Sequence, residues 1–269
     1  MSAFAGTTWL AWRNNRVQAA IGGLLAAGTA AVLVAVAITV NAHPTAPQHT
    51  TYLEAVLVGA PAVAGVFFAA PLLAADFERG THLLIWTQGI TRRRWAAANL
   101  GLLMGLTALA AAVLAVGGQI WLAQLPHGVE STWNLYDLQA PLVVADSLFA
   151  VALGAATGAA VRRTVPAMGA TLAIFIAVRI AFAQLVRPNL LPSVTRMVGG
   201  SAGTFVTPSG ANQIDIAVAT GPLGPNTPFR IVYQPASHFW PMQAMEAGIF
   251  IALALLLVWV ALRFATRDG

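Results

Sequence analysis

Long runs of apolar residues dominate the chain, and short polar segments separate them. A helix rises about 1.5 Å per residue, so roughly 20 apolar residues cross the hydrocarbon core of a bilayer. Six runs meet that length, at about residues 19–40, 52–75, 96–124, 142–161, 165–186 and 242–264. Because helices satisfy their own backbone groups in lipid, the pattern predicts an all-α membrane bundle of six transmembrane spans.

Arginine residues lie unevenly around these spans. If the spans alternate, ten arginines fall on one side, namely Arg13, Arg16, Arg79, Arg92, Arg93, Arg94, Arg162, Arg163, Arg263 and Arg267. Arg187, Arg196 and Arg230 fall on the other side. Since basic residues accumulate on the cytoplasmic side, we expect a multi-pass protein of the cell membrane with both termini in the cytoplasm.

The first apolar run has an alternative interpretation as a cleavable signal peptide, because Val40 and Ala42 are small enough for cleavage before His43. The run is longer than a typical signal-peptide core and five further spans follow, which favours a retained span. Ahead of it, residues 1–18 mix aromatic and basic side chains and predict an amphipathic interfacial helix. A frayed leader with Trp anchors is the alternative for that segment.

The segment 187–241 is the long external connection between the last two spans. Its many Pro and Gly residues oppose long regular helices. Its apolar residues need somewhere to pack, so we expect short helices or turns over the outer mouth and not disorder.

Composition supports membrane insertion and excludes several functions. The chain is 58% hydrophobic and 9% charged, with a mean hydropathy of +0.74, whereas soluble domains carry about a quarter charged residues. All 14 basic residues are Arg, and without Lys there is no Walker A loop, so any ATP hydrolysis belongs to another polypeptide. The absence of Cys excludes disulfides and thiolate metal sites. The pI of 11.0 reflects arginines beside spans, and we expect no nucleic-acid partner.

Residues 76–95 form a polar hairpin between the second and third spans. Thr81 is suited to cap a short helix, Leu84 and Trp86 supply an apolar side, and Gly89 permits its exit. Such an element can insert into a groove on a cytosolic partner. The alternative is a charged turn that only keeps two spans in register.

This hairpin resembles the permease subunits of type-2 ABC exporters, especially the compact six-span permeases frequent in actinobacteria. The matching positions are Glu78, Arg79, Gly80, Thr81, Leu84, Thr87, Gln88, Thr91 and Arg92. The early pair Trp12 and Arg13 is also similar to the start of these permeases, and the six-span layout covers nearly the whole chain.

The resemblance implies that residues 1–269 form one permease domain and that the hairpin is a coupling helix. It would dock on a separate nucleotide-binding ATPase subunit through Glu78, Arg79, Gly80, Thr81, Leu84, Thr87, Gln88 and Arg92. Two permease copies and two ATPases would form the complex, with ATP and magnesium on the ATPase and no cofactor on this chain. The implied function is export of an amphipathic or hydrophobic drug, lipid or peptide. The alternative is a non-transporting membrane anchor or sensor subunit of another complex.

Charged residues within the spans predict an intramembrane polar layer. Asp146 lies ~7 Å and Arg179 ~10 Å below the outer ends of their spans, and Glu246 and Glu54 lie in the outer half as well. Because a charge in the bilayer is costly, we expect Asp146 and Arg179 to pair. A structural pair is the preferred interpretation, and a substrate contact or gate is the alternative.

Small residues and prolines predict where helices approach or bend. Glycines four residues apart, which allow close helix contact, are Gly101 with Gly105 and Gly154 with Gly158. Pro61 and Pro71 predict kinks or helix starts in the second span.

A membrane enzyme is the least favoured class. The acidic and His residues outside the spans lack metal-ligand spacing and are expected to be solvated loop residues: His43, His49, His127, Glu130, Asp137 and Asp215. We therefore expect no metal site and no catalytic residue on this chain.

Overall fold

The computed structural model describes residues 28–32, 34–35, 50–78, 91–123, 133, 135–199, 212–218 and 228–266. Within these ranges, five helices are long and apolar enough to cross a membrane: Leu57–Ala75, Arg93–Leu122, Ala140–Val161, Thr164–Asn189 and Ala236–Thr266. They correspond to the predicted second to sixth spans and confirm the all-α membrane bundle. The predicted first span lies mostly outside the described residues, although residues 28–32 and 34–35 are helical. The predicted interfacial segment 1–18 lies entirely outside them.

The second span contains a π-helical turn between its two prolines. An α-helix over Thr50–Val63 leads into the π-helix Ala64–Ala69, and an α-helix over Ala70–Glu78 completes the span. The N–H of Ala70 donates to the carbonyl of Gly65, five residues earlier. Because a proline ring crowds the carbonyl four residues before it, the wider turn accommodates Pro71. The sequence indicated a disturbance at these prolines without specifying its form.

The other spans consist mainly of α-helix. The α-helices are Arg92–Leu122 in the third span, Ala140–Val161 in the fourth, Thr164–Ala181 in the fifth and Phe239–Thr266 in the sixth. The fifth continues as the π-helix Phe182–Val186 and the 3-10 turn Arg187–Asn189. The fourth ends at Arg162, which has a positive φ of 57°. That left-handed residue stops the helix and leaves only Arg163 before the fifth span begins.

The chain forms two compact units, of which the first comprises Met1–Leu125, Leu138–Ala177 and Ala247–Gly269. The fourth span is its centre, with 16 of its 22 residues buried. The second span approaches it at glycines, since a Cβ on Gly154 would lie 2.3 Å from the Gly65 carbonyl oxygen and one on Gly158 would lie 2.5 Å from that of Ala70. In lipid there is no hydrophobic driving force for helices to associate, so close van der Waals packing of this kind holds the second and fourth spans together.

Further packing joins the remaining spans of this first unit. One apolar cluster combines residues of the second, third, fourth and sixth spans: Leu73, Trp95, Ala96, Leu100, Ala155, Ala156, Ala159, Ala261 and Ala265. The fourth and fifth spans share a buried hydrogen bond of 2.6 Å between the hydroxyls of Thr157 and Thr171. The helices of the first unit are therefore held together by apolar packing and by the Thr157–Thr171 hydrogen bond.

The second unit comprises Pro126–Asp137 and Val178–Glu246 and contains a three-stranded antiparallel sheet. The strands are β1 (Val194–Gly199), β2 (Asn212–Val218) and β3 (Pro228–Gln234), with β3 in the middle. Arg196 of β1 and Ile216 of β2 both pair with Ile231 of β3. The sequence predicts short helices or turns here, and that is wrong for these 20 residues, which form strands. In β2, Ile214, Ile216 and Val218 lie two residues apart, a spacing typical of a strand. The predicted segment boundaries, including 187–241 as an external loop, remain predictions.

Replacing Gly154 with Ala tests the glycine contact in the first unit. The added methyl group has no space beside the Gly65 carbonyl, so the spans must separate, at a cost of about 1–3 kcal/mol. Thermal unfolding of the purified protein in detergent is expected to show a lower Tm.

Gly101→Ala is the matched control, because a Cβ on Gly101 meets nothing within 4 Å among the described residues. Its Tm is expected to be unchanged or higher, since Ala favours helices more than Gly. Equal losses for the two variants would contradict the close approach at Gly154.

Candidate functional site

Four charged side chains converge in the second unit. Asp137 lies in the 3-10 turn Tyr136–Leu138, and Arg179 lies in the last turn of the helix Thr164–Ala181. Arg187 follows the π-helical turn of the fifth span, and Glu246 lies near the start of the sixth. Three separate stretches of chain thus supply the cluster, which we call the charged cluster.

Each arginine of the charged cluster binds both carboxylates. Arg179 donates from Nη1 to Glu246 Oε1 at 3.1 Å and from Nη2 to Asp137 Oδ1 at 2.9 Å. Arg187 grips Glu246 with two parallel bonds, Nε to Oε2 at 2.9 Å and Nη2 to Oε1 at 2.8 Å. It also donates to both oxygens of Asp137. Two positive and two negative charges therefore balance, and such charge-assisted pairs are stronger than neutral hydrogen bonds.

The π-helical turn explains how both arginines reach the same carboxylates. An α-helix advances about 100° per residue, so eight residues would leave Arg179 and Arg187 about 80° apart. In the structure the N–H of Arg187 donates to the carbonyl of Phe182, five residues earlier. A π turn absorbs one extra residue, so the two side chains are offset as if seven residues apart, by only about 20°.

The charged cluster is shielded from solvent on several sides. The Glu246 side chain is 0% exposed, Arg179 is 14% exposed and Arg187 is 17% exposed, whereas Asp137 retains 35%. The Arg187 guanidinium lies 4.5 Å from the centre of the Tyr136 ring, a favourable cation–π distance. Burying charges this deeply is costly unless each has a partner, so removal of one member would leave an uncompensated charge.

Electrostatics favour the ionised form of Asp137. Its partial burial alone would raise the pKa of the carboxyl, but Arg187 and Arg179 outweigh burial and hold the pKa below its ordinary value. Burial raises the pKa of the neighbouring Tyr136 hydroxyl far above its usual range, and the negative charge of Glu246 adds to this effect. Asp137 is therefore ionised at ordinary pH and lies beside a neutral phenol.

Aromatic side chains and a buried amide hold the Asp137 turn in place. Trp133 and Tyr136 stack with ring centres 5.7 Å apart, and both meet the edge of Phe239. The side chain of Gln243, fully buried, donates to the Tyr136 carbonyl at 2.6 Å. The start of the sixth span thus positions the turn through both polar and aromatic contacts.

The structure brings together two of the four residues predicted for the polar layer, Arg179 and Glu246. Asp146 is buried in the fourth span, with 5% exposure, and belongs to the first unit. Its pairing with Arg179 remains a prediction. Glu54 lies in the helix Thr50–Val63, but the described structure does not include its side chain.

Asp137 and Arg187 were missed by sequence reasoning. The sequence predicts Asp137 as a solvated loop residue, and this is wrong, because its carboxylate pairs with two arginines. Arg187 is predicted at the start of the external segment with no partner named, and the structure shows that it completes the cluster. One available signal was the balance of two acidic and two basic residues near the ends of three spans, but the π turn that aligns the arginines has no clear sequence signature.

The base of the polar hairpin is a second candidate site, and it belongs to the first unit. Glu78 is the last residue of the helix Ala70–Glu78, and its Oε2 accepts hydrogen bonds from Thr164 N at 3.0 Å and Thr164 Oγ1 at 2.7 Å. The end of the second span is therefore beside the start of the fifth, as alternating spans require.

Most of the predicted coupling residues lie outside the described residues: Arg79, Gly80, Thr81, Leu84, Thr87 and Gln88. Arg92 is described only as the first residue of the third helix. Their predicted contact with an ATPase remains a prediction. Within the described ranges, no group of three His, Cys, Asp or Glu side chains is arranged to hold a metal ion.

Replacing Arg179 with Leu tests whether the charged cluster stabilises the protein. Arg187 would then face two carboxylates alone, which is expected to cost about 3 kcal/mol and to lower the Tm measured in detergent. Arg196→Leu, at an exposed position of β1, is the control and is expected to leave the Tm unchanged.

A double variant that also carries Asp137→Asn restores the charge balance as an Arg187–Glu246 pair. It is expected to recover part of the lost Tm, since neighbouring charges do not act additively. A strictly additive loss would show that the four charges do not act together.

The effect of pH tests the contribution of Asp137 by itself. Because its folded pKa lies below the ordinary 3.8, the carboxylate stabilises the fold fully above that value and loses this effect as the pH falls through the folded pKa. The Tm difference between the unaltered protein and Asp137→Asn should be largest near pH 7 and shrink below about pH 4. A difference that stays constant from pH 6 to pH 3 would contradict the ion pairs of Asp137.

Comparison with known proteins places these features in a family. A search of curated proteins found no match. The family model described as "ABC-2 membrane transporter related" matches residues 3–187, which cover the hairpin and most of the spans. Together with the helical membrane bundle, this match shows that the chain belongs to the ABC-2 membrane transporter related family and is a permease component of an ABC transporter.

Proposed function

We propose that this permease exports an amphipathic or hydrophobic substrate, such as a drug, lipid or peptide, from the cell. A separate subunit hydrolyses ATP, and two permease copies and two ATPases form the complex in the cell membrane. ATP and magnesium bind to the ATPase. The observation that carries the proposal is the family match over residues 3–187, because membrane components of this kind associate with an ATP-binding subunit.

The hairpin 76–95 is the proposed docking element. It lies within the matched range, and the carboxylate of Glu78, near its beginning, accepts hydrogen bonds from the start of the fifth span. A partner that moves the hairpin would therefore also move the fifth span. The absence of Lys supports ATP hydrolysis on a separate subunit, because the permease has no phosphate-binding Walker A Lys.

The proposed outward direction of transport follows from the resemblance of the hairpin to type-2 ABC exporters, and the proposed orientation fits an ATP-binding partner inside the cell. Both termini and the hairpin face the cytoplasm, where ATP is available, since ten arginines accumulate on that side. The residues between the fifth and sixth spans, including the three strands, then lie outside. An apolar substrate is consistent with the largely apolar spans and with the mutual neutralisation of the charged cluster.

Replacing Leu84 with Ala tests the docking element. Leu84 supplies part of the apolar side of the hairpin, so its loss is expected to reduce the fraction of a co-expressed Walker-motif ATPase that sediments with membranes several-fold. Leu190→Ala, in the segment after the fifth span, is the matched control and is expected to retain the ATPase.

Transport itself is measured with permease and ATPase reconstituted in vesicles containing a fluorescent phospholipid or a fluorescent amphipathic cation. ATP-dependent movement of either probe supports export. Stable ATPase binding without ATP-dependent movement of either probe would favour the anchor or sensor subunit. No ATPase binding to the unaltered permease would reject the proposed partnership.

A further inference from the structure

We propose that Glu78 and Thr164 form the link through which movement of the hairpin reaches the fifth span. Glu78 would then be a positioning residue inside the permease and not a contact of the ATPase. This inference rests on the proposed function, because it takes the hairpin as the element that the ATPase moves.

The local sequence at the start of the fifth span explains why Glu78 is needed there. Helices usually begin after Ser, Thr, Asp or Asn, whose side chains accept a hydrogen bond from the first free N–H groups. Arg163 occupies that position, and its side chain has no acceptor. Its carbonyl accepts from Ala167 N at 3.1 Å, while the Thr164 N–H donates to Glu78. A carboxylate 86 residues away in sequence therefore caps this helix.

The charge of Glu78 strengthens the link. Carboxylates are favoured at helix N-termini, where the backbone dipoles leave a partial positive charge. The hydroxyl of Thr164 donates to the same oxygen as the backbone N–H, so one atom of Glu78 holds two groups of one residue. Hydrogen bonds to a charged acceptor are directional and stronger than those between neutral groups.

A second contact beside it fixes the same connection. The Arg162 guanidinium lies 5.0 Å from the centre of the Phe77 ring. At the end of the second span, Phe77 contacts Arg162 and the next residue, Glu78, binds Thr164. These two contacts lie on either side of Arg163. The connection between the fourth and fifth spans is fastened to the base of the hairpin at two points.

Next to this link, the second and fifth spans are joined by apolar packing. The second and fifth spans meet there at small apolar residues, Ala70, Ala74 and Ala167. Dispersion contacts between methyl groups are weak individually and not directional, so they permit sliding. The hydrogen bonds of Glu78 fix the position of one helix end against the other, and this is what transmission of a displacement requires.

The test follows the fifth and third spans separately in the complete complex of permease and ATPase in lipid nanodiscs. The chain has no Cys, so Gln184→Cys in the fifth span or Ile120→Cys in the third span can carry a single environment-sensitive fluorophore. The signal is the fluorescence change on adding ATP and vanadate. The third span follows the hairpin directly in sequence and serves as the internal reference.

Thr164→Val removes the hydroxyl and keeps the shape of the side chain. With ATP and vanadate present, the fifth span either moves and changes the fluorescence or stays in its resting position. Thr164→Val is expected to shift the equilibrium between these two states about tenfold toward the resting position. The third-span signal and the amount of bound ATPase should remain as before. Thr164→Ser, which keeps the hydroxyl, is expected to restore the signal, and Glu78→Ala should act like Thr164→Val or more strongly.

Thr107→Val is the matched control, because the Thr107 hydroxyl donates to Leu103 within its own helix. It is expected to change neither signal. If Glu78→Ala or Thr164→Val releases the ATPase from the permease, Glu78 is a docking residue and the inference is wrong. An unchanged fifth-span signal, or equal loss in both spans, also overturns it. If the ATPase does not bind the unaltered permease, the proposed function itself fails and the inference falls with it.

Discussion

The close contact between the second and fourth spans is the constraint on which the first unit depends. In lipid, apolar side chains gain little by leaving the solvent, so helices associate where backbones approach closely. At Gly154 and Gly158 the missing side chains let the fourth span touch the carbonyls of Gly65 and Ala70. The same second span carries the π-helical turn and ends at Glu78. The position of the hairpin base therefore follows from a packing requirement deep in the bundle.

The second unit is organised by charge. Arg179, Arg187, Asp137 and Glu246 come from three stretches of chain, and each arginine satisfies both carboxylates. Charges with so little exposure are tolerated only as a complete set. Because the four charges balance and each arginine binds both carboxylates, the geometry favours a structural role over recognition of a charged substrate. The aromatic rings around Tyr136 add rigidity to the same turn.

Much of the fold was predictable, because the bilayer imposes a length and an apolar composition that are visible in the sequence. The five described spans agree with the prediction. Gly154 and Gly158 lie at a close helix approach as their spacing suggested, whereas a Cβ on Gly101 or Gly105, which have the same spacing, would meet nothing within 4 Å among the described residues. The cluster was only half predicted, since a π turn rotates Arg187 into line with Arg179 and such turns depend on backbone geometry. The strands were not predicted: Ile214, Ile216 and Val218 lie two residues apart as in a strand, but the many prolines of this segment are more typical of turns.

Coupling to ATP hydrolysis requires the hairpin to face the cytoplasm and to be covered by an ATP-binding partner. The absence of native Cys allows a direct measurement with Thr87→Cys and a membrane-impermeant maleimide. Labelling in inside-out vesicles, but not in intact cells, and protection of the cysteine when the ATPase is bound are the predicted results. Labelling from the outside of intact cells, or labelling that the bound ATPase leaves unchanged, would contradict the account.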